Sequence, residues 1–366
     1  MSRSFVLGKV NHRDPTPKYV QAREILLEAI RSGHLPPGTK LPSTKEISAL
    51  FNVSLITAHK ALEGLVDAGW LRREVGRGTY VRDDVDPTAA GQGQLYIGLL
   101  IERQVNIDDY YHSTLINGLR RESRADSRRV EFFFHDRFDL RDKGRKEVGA
   151  ICIHPPLECQ MRVERLAQRY PVIVLGGTFP EGRVASVDCD NVGAARLAIR
   201  HLFDLGHRRF LVLSGPMNLS NARDRAQGAI EELAACGIRL TERDQPVSQD
   251  SVVLDDDARA LLERRLREPD RPTAILAGGF YLALAAMQIV RRCGLVIPRD
   301  VSVVGFDDPP SAPLLDPPLT TVRQPLEQMA AQAYRLLRGA IVDGHRVSSC
   351  QLPAELIVRG STAPAH

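Results

Sequence analysis

Lysine almost disappears from this chain after residue 82, where only Lys143 and Lys146 remain, both in a charged stretch. Pyridoxal-phosphate enzymes need a lysine amine in a core site for the Schiff base, so that chemistry is disfavoured. The sequence also contains no G-x-S-x-G elbow, no H-E-x-x-H pair and no Walker loop, which removes the commonest hydrolase, zinc-protease and nucleotide-phosphate signatures. Its cysteines (Cys152, Cys159, Cys189, Cys236, Cys293, Cys350) are scattered. None forms a C-x-x-C pair or a zinc spacing, so they read as buried, reduced thiols. No apolar run is long enough to span a membrane. The first residues, MSRSFVLGKVNHRDPTPK, lack the apolar core and cleavage site of a secretory signal. A cytoplasmic location, no metal and no cofactor are therefore expected.

The charge is unevenly placed. The net charge is +4, yet residues 1–82 hold 13 Lys/Arg against 7 Asp/Glu, and residues 83–366 hold 36 against 38. The positive excess sits entirely in the first part, which suits a polyanionic partner there and a different one elsewhere. Within that part, residues 18–32 alternate at helical spacing, with Ile25, Leu26, Ala29 and Ile30 on one side. Gly33 and Pro36-Pro37-Gly38 stop it. The stretch 41–81, LPSTKEISALFNVSLITAHKALEGLVDAGWLRREVGRGTYV, reads as a helix over 44–51 and a turn at 52–54. A second helix then runs over 55–68, with Ser54 as its N-cap and Ala58, Leu62, Leu65 and Val66 on its apolar stripe. Strands at 70–73 and 79–82 flank a Gly-Arg-Gly tip. Two helices at a tight turn followed by a ribbon describe a winged helix-turn-helix.

Residues 83–94 (DDVDPTAAGQGQ) are small, polar and periodless, a linker by composition. From Leu95 onward, short apolar runs alternate with amphipathic helices. Strands are expected at 95–101, 130–134, 149–153, 171–175, 185–187, 209–213, 274–277 and 301–305. Helices are expected at 110–123, 163–169, 191–205, 224–236, 256–267 and 281–292. Such alternation implies parallel sheets covered on both faces, and its length implies two doubly wound lobes. The piece 137–147 (RFDLRDKGRKE) is short and charged for a parallel crossover. The expected domains are a tail (1–17), a DNA-binding head (18–82), a linker (83–94) and a two-lobed sensor (95–363).

Two resemblances sharpen these expectations. The head resembles the GntR family of bacterial transcription regulators. The resemblance lies in Lys18-Tyr19, IRSGHLPPG (30–38), LPS (41–43), Val53-Ser54, Thr57, Ala61-Leu62, GWL (69–71) and GRGTYV (76–81). The remainder resembles the effector module of LacI-type regulators, itself similar to periplasmic sugar-binding proteins. It does so through VDCDN (187–191), LGHRRF (205–210), Gly215-Pro216, PRDVSVVGFDD (298–308) and PPLTTV (317–322). A GntR-like head on a LacI-like sensor is similar to arabinose-responsive regulators of the AraR type.

The resemblances imply site residues. On the head, Ser54, Leu55, Thr57 and His59 would face base edges, Lys60 the DNA backbone, Lys45 the first helix's phosphate contact, and Gly76 and Arg77 the wing tip. Leu55 and Lys45 stand where the family usually has arginine, so operator preference should differ. In the sensor, the cleft at the carboxyl ends of the strands would hold the effector. Arg225, followed by Gly228 in R-x-x-G, and Asp307 would be its charged partners, with Asp188 and Asp190 weaker choices. Tyr110 and Tyr111 would stack on a ring. Phe280 follows Gly279 where the family has Asn-Asp, so an aromatic contact would replace a polar one. The expected function is a homodimeric, effector-controlled DNA-binding repressor that acts on a near-palindromic operator and senses a small polar molecule, a sugar or derivative. A free-standing sugar carrier and a GntR-fused enzyme are the alternatives.

Overall fold

The computed structural model describes residues 8–11, 18–67, 70–74, 77–83, 96–101, 109–125, 129–134, 148–344 and 347–365. Gly69 and Gly76, most of the 83–94 linker and the 137–147 connection lie outside them. Two compact units separate at residue 94.

The first unit is built on α1 (Lys18–Arg31), α2 (Thr44–Phe51), α3 (Leu55–Asp67), β1 (Leu71–Glu74) and β2 (Gly78–Val81). Ser43 caps α2. Its Oγ accepts from the Glu46 N–H at 3.3 Å while Glu46 Oε2 accepts from the Ser43 N–H at 2.7 Å, a reciprocal capping box. Asn52 then takes a left-handed backbone (φ 51°), which ends α2 and turns the chain into α3. Leu26, Ile30, Leu35, Ile47, Leu62 and Leu65 close the core. β1 and β2 pair antiparallel from Leu71–Val81 to Glu74–Gly78. Residues 8–11, expected to belong to a free tail, instead pack on α1. Val10 is buried in the core, and the Asn11 N–H donates to Gln21 Oε1 at 2.8 Å.

The second unit has two lobes. Its elements are β3 (Tyr96–Ile101), α4 (Tyr110–Ala125), β4 (Arg129–Phe134), β5 (Val148–Ile153), α5 (Gln160–Ala167), β6 (Val172–Leu175), β7 (Ser186–Cys189), α6 (Asn191–Asp204), β8 (Phe210–Leu213), α7 (Ser220–Ala235), α8 (Asp256–Arg267), β9 (Ala274–Ala277), α9 (Phe280–Arg292), β10 (Ser302–Phe306), β11 (Thr320–Arg323), α10 (Leu326–Val342), β12 (Cys350–Leu352) and β13 (Glu355–Ile357). One sheet runs β12-β7-β6-β5-β3-β4 and is parallel throughout. The other runs β13-β11-β10-β9-β8 and is parallel except for β13, which is antiparallel to β11. The strands β6, β8 and β9 are buried along their whole length, so their sequences are continuous apolar runs rather than alternating ones.

The chain passes between the lobes at three places. After β7 it enters α6, which packs in the second lobe's core. After β11 it returns as α10, which packs on α4 and the first sheet. After β12 it leaves again as β13. The sequence pattern assigns no element beyond residue 305. Strands of three residues such as β12 and β13 have no local signal, and only pairing with β7 and β11 creates them. α7 starts at Ser220 rather than at 224, because the polar pair Ser220-Asn221 is satisfied by tertiary bonds: Ser220 Oγ accepts from the Thr178 N–H at 2.9 Å. No helix among the described residues is long and apolar enough to cross a membrane.

Gly228 of α7 faces the start of α6 so closely that a Cβ there would collide with the Val192 carbonyl group, with the Val192 Cα 2.9 Å away. The neighbour is backbone and cannot rotate aside. Gly228→Ala should therefore destabilise the sensor by about 2 kcal/mol through overpacking, seen as a lower midpoint in urea unfolding with an unchanged slope.

Candidate functional site

The head presents the start of α3 to solvent. Ser54 Oγ accepts from the Thr57 N–H at 3.1 Å and lies 2.8 Å from the Thr57 hydroxyl, so both hydroxyls are engaged in capping the helix. Leu55 and Ile56 are 55% and 80% exposed. Two adjacent large apolar side chains this exposed at one helix end are available for contact. Ile56 was not among the expected contacts, because its helical position outside the apolar stripe reads as ordinary surface.

The charged groups on the head divide into tied and free. His59 lies 3.3 Å from Arg73 through Nδ1 and 3.9 Å from Glu63 through Nε2. Lys60, expected at the DNA backbone, holds its ammonium 4.6 Å from the centre of the Tyr19 ring on α1, a cation–π contact within the head. Lys45 is exposed on α2. The Arg77 side chain is 80% exposed at the wing, with Glu74 4.0 Å away. Gly76 lies outside the described residues.

In the second unit a cleft opens between the lobes. Asp109, Tyr110, Tyr111, His112 and His154 line it from the first lobe. Asn221, Arg225, Gly278, Phe280, Tyr281 and Asp307 line it from the second. All five sequence-expected sensor residues, Tyr110, Tyr111, Arg225, Phe280 and Asp307, thus border one cavity. Arg225 is 6% exposed. Its Nε donates to Asn191 Oδ1 at 2.8 Å, its Nη1 to the Gly278 carbonyl at 2.7 Å, and its plane covers the Phe306 ring at 4.3 Å. Its Nη2 has no partner among the described residues. Asp307 follows β10 with a left-handed backbone (φ 66°). Gln324 Nε2 donates to its Oδ1 at 2.5 Å. Burial raises the Asp307 carboxyl above its ordinary range, and the Arg225 charge opposes that rise. Tyr111 reaches the Gly176 carbonyl at 3.4 Å. Gly176 is left-handed (φ 76°), and a Cβ there would overlap the Tyr111 hydroxyl.

The weaker carboxylate candidates separate. Asp190 caps α6, accepting from the Gly193 N–H at 2.8 Å, and so is structural. Asp188 is 1% exposed and accepts from the Cys189 N–H through Oδ1 at 2.7 Å. His112, His154 and Asn221 were missed. His154 directly follows β5, so the strand-end rule applied to every strand would have found it. His112 follows the two tyrosines on the same helical turn.

Residues 18–81 match the family model of bacterial regulatory proteins, gntR family, and residues 199–362 match the periplasmic binding protein-like domain. The HTH-type transcriptional regulator AglR of Rhizobium meliloti is 31% identical over 348 residues, which cover 88% of this chain and 94% of that protein. The arabinose metabolism transcriptional repressor of Geobacillus stearothermophilus is 28% identical, with 94% and 98% covered. The chain belongs to the HTH-type transcriptional regulators that join a GntR head to a periplasmic-binding-protein-like sensor. Among solved structures, a LacI family transcriptional regulator from Mycobacterium smegmatis superimposes with a TM-score of 0.63 at 25% identity, covering 74% of this chain and all of that one. A complex of the transcriptional regulator CelR with cellobiose gives 0.65 at 23% identity, covering 88% of this chain, and supports the fold.

In this regulator Asp188 lies behind the cleft, with burial pushing its carboxyl up to about 7. The folded state therefore keeps a proton that the unfolded chain releases above the ordinary carboxyl value of 3.8. Stability from this group falls as pH rises from the unfolded value through the folded one. Asp188→Asn should accordingly be more stable than the parent at pH 8, by on the order of 2 kcal/mol more than at pH 5. Thermal unfolding of both proteins at the two pH values measures the difference. An equal offset at both would show that Asp188 ionises in the folded protein as it does unfolded.

Proposed function

We propose that this chain is a cytoplasmic, homodimeric transcriptional repressor that binds a near-palindromic operator and is released by a small polar effector, a sugar or sugar derivative, held in the interlobe cleft. The observation that carries the effector reading is Arg225. It is a buried cation with two donor nitrogens committed and a third without a partner among the described residues, and it borders a cavity lined by aromatic rings. A buried, unsatisfied guanidinium nitrogen is costly, and a ligand hydroxyl in the cleft relieves that cost. The AraR-type relatives, including one named for arabinose metabolism, are consistent with a sugar.

On the head, Ser54, Leu55, Thr57 and His59 lie on the first turns of α3 and make the base-reading edge, with Ile56 beside them. Lys45 and Arg77, the more exposed cations, take phosphates. A two-fold dimer presents two such edges to two half-sites. The ligand acts by favouring one arrangement of the lobes. Because Asn191, Gln324 and the residues that follow β12 lie where the chain crosses between lobes, groups that touch the ligand are bonded directly to the hinge. The change reaches the head through residues 83–94. Operator and effector affinities are coupled reciprocally.

Two experiments test this. DNA from the gene's own locus should bind with steep salt dependence, and Lys45→Ala or Arg77→Ala should each lower affinity for all sequences and reduce the salt slope by about 1. An unchanged slope in both would remove the phosphate assignment. A sugar that raises the thermal midpoint of the parent should leave Arg225→Ala and Asp307→Ala unshifted, while both still bind operator in its absence. Retained shifts would move the effector out of this cleft.

A further inference from the structure

The cleft holds two imidazoles that the effector reading has not used. His112 on α4 and His154 after β5 are 7% and 9% exposed, and their ring centres are 5.6 Å apart. Tyr111 sits against both, at 5.2 and 5.4 Å. His112 Nδ1 lies 2.8 Å from Asp109 Oδ2, and the other Asp109 oxygen accepts from the His112 N–H at 2.7 Å. A carboxylate so placed keeps the ring proton on Nδ1. The Nε2 lone pair is then left without a donor, in a residue that borders the cavity. His154 is hydrogen-bonded to Asn221, and burial, with His112 beside it, pushes it down to about 4, so it is neutral near pH 7. Neither Nε2 has a partner among the described residues. Two buried acceptors therefore need donors, each at a cost of roughly 1–3 kcal/mol if left unmet.

The charges around them narrow the chemistry further. Among the described lining residues, Asp109 and Asp307 are acidic and Arg225 is the single Arg or Lys. Two of the three Arg225 nitrogens are already bonded.

We infer that His112 and His154 are ligand-contacting residues that select a neutral, polyhydroxylated molecule over a phosphorylated or carboxylated one. The inference deepens the effector reading above and rests on it. Hydroxyl hydrogens of the ligand go to the two Nε2 atoms and to Asp307. One hydroxyl oxygen accepts from Arg225 Nη2. The C–H face lies on Tyr110, Tyr111 or Phe280. A phosphate or carboxylate brings no hydrogen for either Nε2. It would stand beside two carboxylates with one guanidinium nitrogen to meet it, and His154 resists the protonation that would help.

The test uses the full-length chain and calorimetric titration with D-glucose, D-galactose, L-arabinose, maltose and cellobiose, each against a phosphorylated or uronate counterpart. At least one neutral sugar should bind, and its anionic counterpart should bind at least about tenfold more weakly. His112→Leu and His154→Leu should each weaken the neutral sugar by about tenfold. A deoxy analogue lacking the hydroxyl that meets the replaced ring should lose as much on the parent and nothing more on the variant. If an anionic sugar binds as tightly as its neutral partner, and Arg225→Ala abolishes that binding, the cleft remains the effector site and this selection is wrong. If no sugar of either kind binds, both readings fall. Should a leucine variant fail to fold, the neutral-against-anionic comparison on the parent decides the matter alone.

Discussion

The structure of the sensor turns on the burial of one guanidinium. A cation taken out of water costs several kcal/mol unless its donors are met, and Arg225 meets this cost with partners from three different places. Asn191 stands where the chain first crosses between lobes, Gly278 follows β9, and Phe306 ends β10. Holding Arg225 therefore fixes the first crossing, the floor of the cleft and the start of α7 relative to one another. The close approach of α6 and α7 at Gly228, one turn further along, belongs to the same arrangement. The local charges answer to it as well. Asp188, Asp307 and Tyr111 are all buried groups whose ionisation Arg225 favours against their burial.

The second crossing is tied down by carboxylates. Asp307 receives Gln324, the residue between β11 and α10. Its neighbour Asp308 receives both Arg323 and Arg359, at 2.7 and 3.0 Å. A ligand that engages Asp307 thus pulls on a side chain bonded to the hinge itself, and one that engages Arg225 pulls on Asn191 at the other strand of the hinge. In the head, the distribution is of another kind. His59 lies against Arg73 and Glu63, and the Lys60 ammonium lies over the Tyr19 ring. The exposed end of α3 is correspondingly apolar, and Leu55 and Ile56 have the shape for thymine methyl groups in a major groove.

Much of this was legible in the chain. The winged head follows from helical periodicity, a turn at Asn52 and a glycine-bounded ribbon, all of them local signals. The alternation of apolar strands and amphipathic helices announced doubly wound lobes, the resemblance to LacI-type sensors led to Arg225, and Asp307 was marked by its place after a strand. What could not be read was whatever depends on residues far apart in sequence. His112 and His154 become a pair only because β3 and β5 are neighbours in the sheet. Val10 looked like part of a tail because nothing local requires an isolated apolar residue to find α1. Lys60 looked like a phosphate contact because its distance to Tyr19 is set by the crossing of α1 and α3.

By itself, then, the sequence determined the kinds of element, their order, the confinement of positive charge to the head and the residue types that border the cleft. Periodicity, capping and composition act over a few residues and need no partner. The tertiary structure alone decided which polar atoms remain without partners, and hence what the cleft can recognise. Hydrogen bonds between Arg225 and Asn191, Gln324 and Asp307, or Asp109 and His112 use up particular lone pairs and protons, and the remainder is fixed only once every segment is in place.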